Sequence, residues 1–367
     1  MRFSCEKKTL VHSTTIVQKA VSSKTTLPIL KGIYIEVLEN YLKLVATDLE
    51  IGIEHTVEVN TYQEGAVVVD ARLFSEIIRK LPDAKVEITL KENNQLSIKC
   101  ENSEFNIVCY DPQDFPELPS IEEEYSYEIT QDLFKNMIRQ TVFAASQDET
   151  RPVLTGALME IEEDTLNMVA LDGYRLALRK GKIQASIDNK VILPAKTLNE
   201  INRILTDEEE TIHITLTENH ALFIIGTTKL ISRLLEGEFI SYKQIIPKEY
   251  KSKVKVKTKS LLDSIERASL LAREGKNNLV KFVIDDDKMT ISSNSELGKV
   301  QEEIFIELEG DSIEIAFNSK YFIDALKIIE DEEVYLEFTT SLSPGILKPV
   351  TNDYYIYLIL PVRLSTN

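Results

Sequence analysis

Apolar residues recur at helical spacing in three separate places along the chain: Leu73, Phe74, Ile77, Ile78 and Leu81; Leu198, Ile201, Ile204 and Leu205; Phe322, Ile323, Leu326 and Ile329. Steps of three and four residues put each set on one helix face, and that face must be buried. Three further helices are predicted over residues 7–22, 131–146 and 259–273, each followed by a polar loop. Between the helices the pattern changes to alternation rich in Val, Ile and Thr, the signature of half-buried strands. Turn chemistry interrupts that alternation at Leu38-Glu39-Asn40-Tyr41, Lys91-Glu92-Asn93-Asn94, Glu162-Glu163-Asp164, Thr217-Glu218-Asn219-His220 and Asp285-Asp286-Asp287. Asn and Asp tolerate the left-handed backbone of tight hairpins, so antiparallel sheets are expected. Six short helices on antiparallel sheets make an α+β fold.

The order helix, strands, helix, strands occurs three times, and the repeat is visible in the residues themselves. Leu27-Pro28-Ile29-Leu30-Lys31-Gly32 returns as Arg151-Pro152-Val153-Leu154-Thr155-Gly156, and Val45-Ala46-Thr47-Asp48 as Val169-Ala170-Leu171-Asp172, both at an offset of 124. Asp70-Ala71-Arg72 with Phe74 matches Pro194-Ala195-Lys196 with Leu198, then Asn318-Ser319-Lys320 with Phe322, at the same offset twice. A period this long is a domain, because solenoid units run to roughly 20 to 50 residues. Periodicity lapses at Asp114-Phe115-Pro116-Glu117-Leu118-Pro119 and at Pro247-Lys248-Glu249-Tyr250-Lys251. The expected domains are therefore 1–122, 123–249 and 250–367.

A net charge of −18 argues at first against a phosphate-rich partner. Its distribution reverses that reading. The six helical stretches with their basic flanks carry eighteen Lys and Arg against seven Asp and Glu, which leaves the strands and loops strongly acidic. Lys and Arg are also ordinary helix formers, so charge on a helix face alone decides little. Arg72, Lys196 and Lys320 recur at the same place in three helices, however, and would line a shared surface at intervals. With few charges, no base-reading constellation and no aromatic stacking platform, contact with nucleic acid is expected to be weak, non-specific and sensitive to salt.

No catalytic, cofactor or metal site is legible. His12, His55, His213 and His220 are scattered, and Gly181-Lys182 and Gly275-Lys276 lack the rest of a phosphate-binding loop. Asp285-Asp286-Asp287 lacks the glycine and distal Glu of a calcium loop and reads as a solvated turn. Asp172-Gly173 reads as a hairpin turn; a hydrolase using Asp48 or Asp172 is a distant alternative. Cys5, Cys100 and Cys109 have no zinc spacing and suit a reducing compartment. The first residues lack an apolar signal core, and no apolar run approaches the ~18 residues of a membrane helix. A cytoplasmic location without membrane contact is the expectation. The apolar run Tyr354-Tyr355-Ile356-Tyr357-Leu358-Ile359-Leu360-Pro361-Val362-Arg363-Leu364 reads as a terminal strand whose last residues Pro361 lifts out of the ladder, free to wall a groove.

Leu27-Pro28-Ile29-Leu30, Arg151-Pro152-Val153-Leu154-Thr155-Gly156, Val169-Ala170-Leu171-Asp172-Gly173-Tyr174-Arg175-Leu176-Ala177 and Leu360-Pro361-Val362-Arg363-Leu364 together resemble the β sliding clamps of bacterial DNA polymerase III, over the whole chain. The resemblance implies three repeated DNA-clamp domains, each with two helices on antiparallel sheets, in a head-to-tail homodimeric ring around duplex DNA. It implies a non-catalytic processivity factor that tethers the replicative DNA polymerase, and that the clamp loader and repair factors bind the same groove through short linear peptides. By the same resemblance the groove comprises Leu154, Leu171, Gly173, Tyr174, Arg175, Leu176, Ile240, Gln244, Ile245, Tyr321, Leu342, Pro344, Leu358, Leu360, Pro361, Val362 and Arg363. DNA contact falls to Lys24, Arg72, Gln147 and Lys196. The dimer contact pairs the edge carrying Phe105 and Ile107 with the edge near Leu270, Leu271 and residues 302–306. The competing reading is a three-domain protein-interaction scaffold that forms no ring.

Overall fold

The computed structural model describes the chain apart from residues 23, 122–124, 185–186, 207–208, 274–277 and 364–367. Gly275-Lys276 and Leu364, singled out in the sequence, lie outside the described residues. The described residues carry seven α-helices: α1 Lys7–Val17, α2 Ala71–Lys80, α3 Gln131–Thr141, α4 Ala195–Ile204, α5 Tyr242–Ile245, α6 Thr258–Ala272 and α7 Ser319–Leu326. The second helix of each repeat begins at residue 71, 195 or 319, so the offset of 124 survives folding intact.

Two helix expectations need correction. α1 and α3 stop short of residues 22 and 146, each tightening into a 3₁₀ turn at Gln18–Ala20 and Val142–Ala144. Hydroxyls supply the reason: Ser13, Thr14 and Thr15 donate to the carbonyls of Thr9, Leu10 and Val11, and Thr141 donates to Met137. Such back-bonding competes with the helical ladder and weakens its continuation. The seventh helix, α5, is a single turn near the end of the second repeat. One turn is too short to display a period, so the pattern missed it.

By their contacts the described residues form two compact units, Met1–Asp132 with Glu200–Leu234, and Leu133–Asn199 with Leu235–Asn367. The boundary falls inside α3 and α4, so the middle repeat contributes to both. In the first unit a five-stranded sheet runs in the order Asn60–Gln63, Arg2–Glu6, Lys85–Lys91, Gln95–Cys100, Ser103–Val108. Its eight-stranded sheet runs Tyr125–Thr130, Thr211–Leu216, His220–Ile225, Thr228–Arg233, Ile51–Glu58, Tyr41–Thr47, Gly32–Val37, Gly65–Asp70. α1 and α2 pack on each other and on these strands. Phe3, Leu10, Phe74, Ile78, Val86 and Ile98 are wholly buried there.

The second unit repeats the scheme. Its nine-stranded sheet runs Asn189–Pro194, Gly156–Glu162, Thr165–Leu171, Arg175–Lys182, Tyr355–Ile359, Gly345–Pro349, Glu333–Phe338, Ser252–Lys257, Glu307–Gly310. A four-stranded sheet runs Gly298–Phe305, Lys288–Ser295, Leu279–Asp285, Ile313–Asn318. Every pairing is antiparallel, and each predicted turn joins two strands of one hairpin. The glycines of the repeated motif have a steric cause. A Cβ on Gly156 would stand 2.4 Å from the carbonyl oxygen of Leu193, and one on Gly32 would stand 2.4 Å from Cγ1 of Val68.

The two units share one kind of junction. Ile51–Glu58 of the first repeat pairs with Thr228–Arg233 of the second, with His55 opposite Thr228. Arg175–Lys182 of the second pairs with Tyr355–Ile359 of the third, with Arg179 opposite Tyr355. The matching strand of the third repeat, Gly298–Phe305, and that of the first, Ser103–Val108, are both outermost in their sheets.

Candidate functional site

The hairpin at Asp172 organises one end of the nine-stranded sheet. Asp172 Oδ1 accepts from the backbone N–H groups of Tyr174 and Arg175 at 2.9 and 3.1 Å, and Gly173 takes φ +91°, in the left-handed region. One repeat earlier, Asp48 Oδ1 accepts from the N–H groups of Glu50 and Ile51 in the same way. Both aspartates are turn residues, as the sequence suggested.

Arg175, the residue after Tyr174, points inward and is 9% exposed. Its guanidinium donates to Asp172 Oδ2 at 3.0 Å, to Asp324 Oδ2 of α7 at 2.7 Å and to the Phe143 carbonyl at 2.9 Å. The rings of Phe143 and Tyr321 lie 5.4 and 4.7 Å from it. Burial opposes this charge, but Tyr357, Asp324 and Asp172 more than offset that and hold the group above its ordinary pKa. Tyr357 is itself buried, with its phenol pushed up by desolvation, and donates to the Tyr321 carbonyl at 3.0 Å.

Sheet register gathers the expected groove residues. Arg175 stands opposite Ile359, and Ile359 opposite Gly345. This brings the Gly173-Tyr174 turn, the chain end at 360–363 and the loop carrying Leu342 and Pro344 to the same sheet end. Leu360 N–H donates to the Tyr174 carbonyl and Val362 N–H to the Ala316 carbonyl, each at 2.8 Å, so the last described residues are strapped down. Tyr174 and Tyr321 stack with ring centroids 6.4 Å apart.

The seventeen residues divide into three classes. Leu154, Leu171, Leu176 and Leu358 are each at most 4% exposed and pack with Phe239, Tyr242 and Ile346. With Arg175 they form the supporting floor and not an open wall, because the segment 235–247 covers that sheet face. Tyr174, Ile240, Ile245, Leu342 and Leu360 are large apolar side chains left exposed, with Gly173, Gln244 and Arg363 exposed beside them in the sequence. Tyr321, Pro344, Pro361 and Val362 are half-buried. An apolar surface with a polar rim is what a peptide with hydrophobic anchors requires.

Lys24, Arg72, Gln147, Lys196 and Lys320 are all exposed, and Arg72, Lys196 and Lys320 each stand in the first turn of their helices. Arg72 pairs with Glu76 at 3.1 Å, an exposed contact that water and salt screen. Of the expected dimer residues, Phe105 and Leu270 are 39% and 64% exposed and Leu271 is half-buried. Ile107 is 8% exposed, its side chain already turned into its own sheet's core.

Asp324 and Phe143 escaped the sequence reading, and Tyr357 entered it only as part of the terminal strand. The one available signal was that Asp324 follows Tyr321 by three residues on a helix. A cleft of about 760 Å³ also went unread; it lies among Leu178, Ile246 and Ile356, with Lys180, Lys243 and Glu162 on its rim. Among the described residues no group of His, Cys, Asp and Glu is arranged to hold a metal ion, and no helix is long and apolar enough to cross a membrane.

Comparison with known proteins covers the chain from end to end. Family models of the DNA polymerase III beta subunit match in sequence order: the N-terminal domain at residues 1–119, the central domain at 128–240 and the C-terminal domain at 243–363. The Bacillus subtilis beta sliding clamp is 42% identical over 99% of this chain and 100% of its own. The Staphylococcus aureus beta sliding clamp is 41% identical over 99% of both. Among solved structures, the Bacillus subtilis DNA polymerase sliding clamp superposes with a TM-score of 0.96 at 41% identity over 100% of both chains. A DNA polymerase III beta subunit from Eubacterium rectale gives 0.95 at 38%, covering 99% of this chain and 100% of its own. The repeat, the clamp fold and these matches agree: the chain belongs to the family of bacterial DNA polymerase III beta subunits, the β sliding clamps.

Proposed function

We propose that the chain is a processivity factor: two copies close head to tail around duplex DNA, and the ring tethers a polymerase through the groove at the Asp172 turn. The observation that carries the closure is the repeated junction. Each repeat offers one strand to the next, twice within the chain, and the third such pair is left open at Gly298–Phe305 and Ser103–Val108. Open edges invite pairing with another chain, and a symmetric pair of copies closes both. The domains that build the ring are 1–122, 123–249 and 250–367.

The exposed Lys24, Arg72, Gln147 and Lys196 are the proposed DNA contacts. They are few and dispersed, which suits a ring held by topology and only weakly by charge. The role needs no chemical step from this chain, so opening falls to a separate energy-driven loader. The polymerase, the loader and repair factors are proposed to share the groove, in the cytoplasm. Loading the protein onto nicked circular DNA and then linearising the circle tests the reading. Retention on the circle at salt that strips the linear form is expected. Equal loss from both forms would sink the ring and favour a scaffold without one.

A further inference from the structure

We propose that Asp324 is a positioning residue for partner binding, acting through Arg175 to fix the Tyr174–Tyr321 wall of the groove. The proposal rests on the groove reading above and concerns how the wall is held. α7 contributes both Tyr321 and Asp324, three residues apart and hence on one helix face. The Asp172 turn contributes both Tyr174 and Arg175. Two cross-links therefore run side by side between turn and helix: the tyrosine stack at 6.4 Å and the Arg175–Asp324 bridge at 2.7 Å. Gly173 itself adds no packing to the turn, since beyond its chain neighbours no atom lies within 4 Å of where a Cβ would stand.

Three of the five N–H donors of the Arg175 guanidinium are already engaged. Its Nε, Nη1 and Nη2 each already donate to a partner, and two aromatic rings lie against its guanidinium. Arginine's planar fork suits this role, because one side chain fixes several acceptors in a single geometry. Asp172 links the guanidinium to the backbone, accepting from Arg175 Nε through Oδ2 and from Tyr174 N–H through Oδ1. A continuous chain of contacts thus runs from Asp324 through Arg175 and Asp172 to Tyr174. Asp324 is partly exposed at 30% of its side chain, at the margin of the wall and outside the buried floor.

The test is a double-mutant cycle on the full-length protein, using a short fluorescein-labelled peptide with one leucine and one phenylalanine anchor as the probe. Asp324→Asn is expected to weaken binding by about tenfold in the unaltered chain but by less than about twofold when Tyr174→Ala is already present. Asp324→Glu, which keeps the charge, is expected to restore most of the affinity, and circular dichroism of each variant reports the fold. Equal losses in both backgrounds, or no loss in either, would overturn the proposal. Misfolding of Asp324→Asn moves the cycle to Arg175→Lys, where additivity with Tyr174→Ala overturns it likewise. A peptide that fails to bind the unaltered chain removes the groove reading, and this proposal with it.

Discussion

At the scale of single residues, the repeat exposes a mismatch between backbone and side chain. Gly173 and Leu49 occupy the same turn one repeat apart, and both take positive φ, +91° and +76°. Glycine does this freely, whereas a leucine in that region costs on the order of 1 kcal/mol. Leu49 is also 57% exposed, so it gains little from packing. Leu49→Gly is expected to raise stability by about 1 kcal/mol in urea unfolding, and Gly173→Ala to lower it by a similar amount. His55 supplies a second expectation. It is buried in the first junction, 2.8 Å from the Thr228 hydroxyl, and burial lowers its pKa from 6.5 to about 4. The unfolded chain then binds a proton that the native chain refuses between those values. The contribution of neutral His55 is complete above pH 6.5 and is lost as pH falls toward 4, by roughly 3 kcal/mol at most. His55→Gln should flatten the dependence of the unfolding midpoint over that window, and an unchanged profile would refute the assignment. Neither feature was legible beforehand: the sequence aligned Leu49 with Gly173 but could not give φ, and nothing in the spacing of His55 marked it as buried.

At the scale of elements, legibility followed period and length. α2, α4 and α7 begin at residues the repeat named, where an amphipathic stripe starts, and in α2 and α7 a polar cap coincides with that start. In α2 the Asp70 carboxylate accepts from Leu73 N–H at 2.8 Å; in α7 Asn318 accepts from Lys320 N–H at 3.0 Å. Asp70→Ala removes the α2 cap and is expected to lower the unfolding midpoint by an amount equivalent to about 1 kcal/mol. A smaller effect would mean that packing of Phe74 and Ile78 alone sets the helix start. The ends of α1 and α3 were misread because hydroxyl back-bonding leaves the apolar pattern unchanged while loosening the ladder. α5 was invisible for want of length, yet it covers the floor of the site: Tyr242 is buried there and its phenol donates to Glu160 Oε2 at 2.5 Å. The groove residues came from a resemblance between motifs, which reports position in the chain but not depth. That is why Leu154 and Leu358, which are core, stood beside Tyr174 and Leu342, which are surface.

At the scale of the whole molecule, quasi-equivalence predicts the register with which two copies meet. Within each repeat the inner hairpin places Leu44 opposite His55, Met168 opposite Arg179 and Ile291 opposite Glu302. His55 and Arg179 face Thr228 and Tyr355 across their junctions. Thr228 closes the hairpin with Ile225 as Ser103 closes that with Cys100, so Glu302 should face Ser103 of the second copy. Counting outward, Val300 faces Phe105, Gly298 faces Ile107 and Leu297 faces Val108. The faces agree: residues 298, 300, 302 and 304 are less exposed than their neighbours, as Ser103 and Ile107 are in their strand. A slip of one residue would put inward side chains against outward ones. The proposed register sets Ile107, already buried in its own sheet, opposite the Gly298 whose Cβ position lies 3.8 Å from Leu271, and it joins Val108 and Leu297, 74% and 75% exposed. Directly opposed residues of antiparallel strands have Cβ atoms roughly 4.5 to 5.5 Å apart, near enough for a disulfide after small adjustment. In a chain whose buried Cys5, Cys100 and Cys109 are replaced by serine, Phe105→Cys with Val300→Cys is expected to yield, on mild oxidation, a covalent species of twice the chain mass that resists denaturant. Phe105→Cys with Lys299→Cys, one residue out of register, should cross-link far more slowly, and either single variant should stay uncoupled. Preferential coupling of the out-of-register pair would disprove this alignment while leaving a dimer standing. Absence of coupling in every pair, together with a monomeric mass in sedimentation, would remove the head-to-tail closure itself.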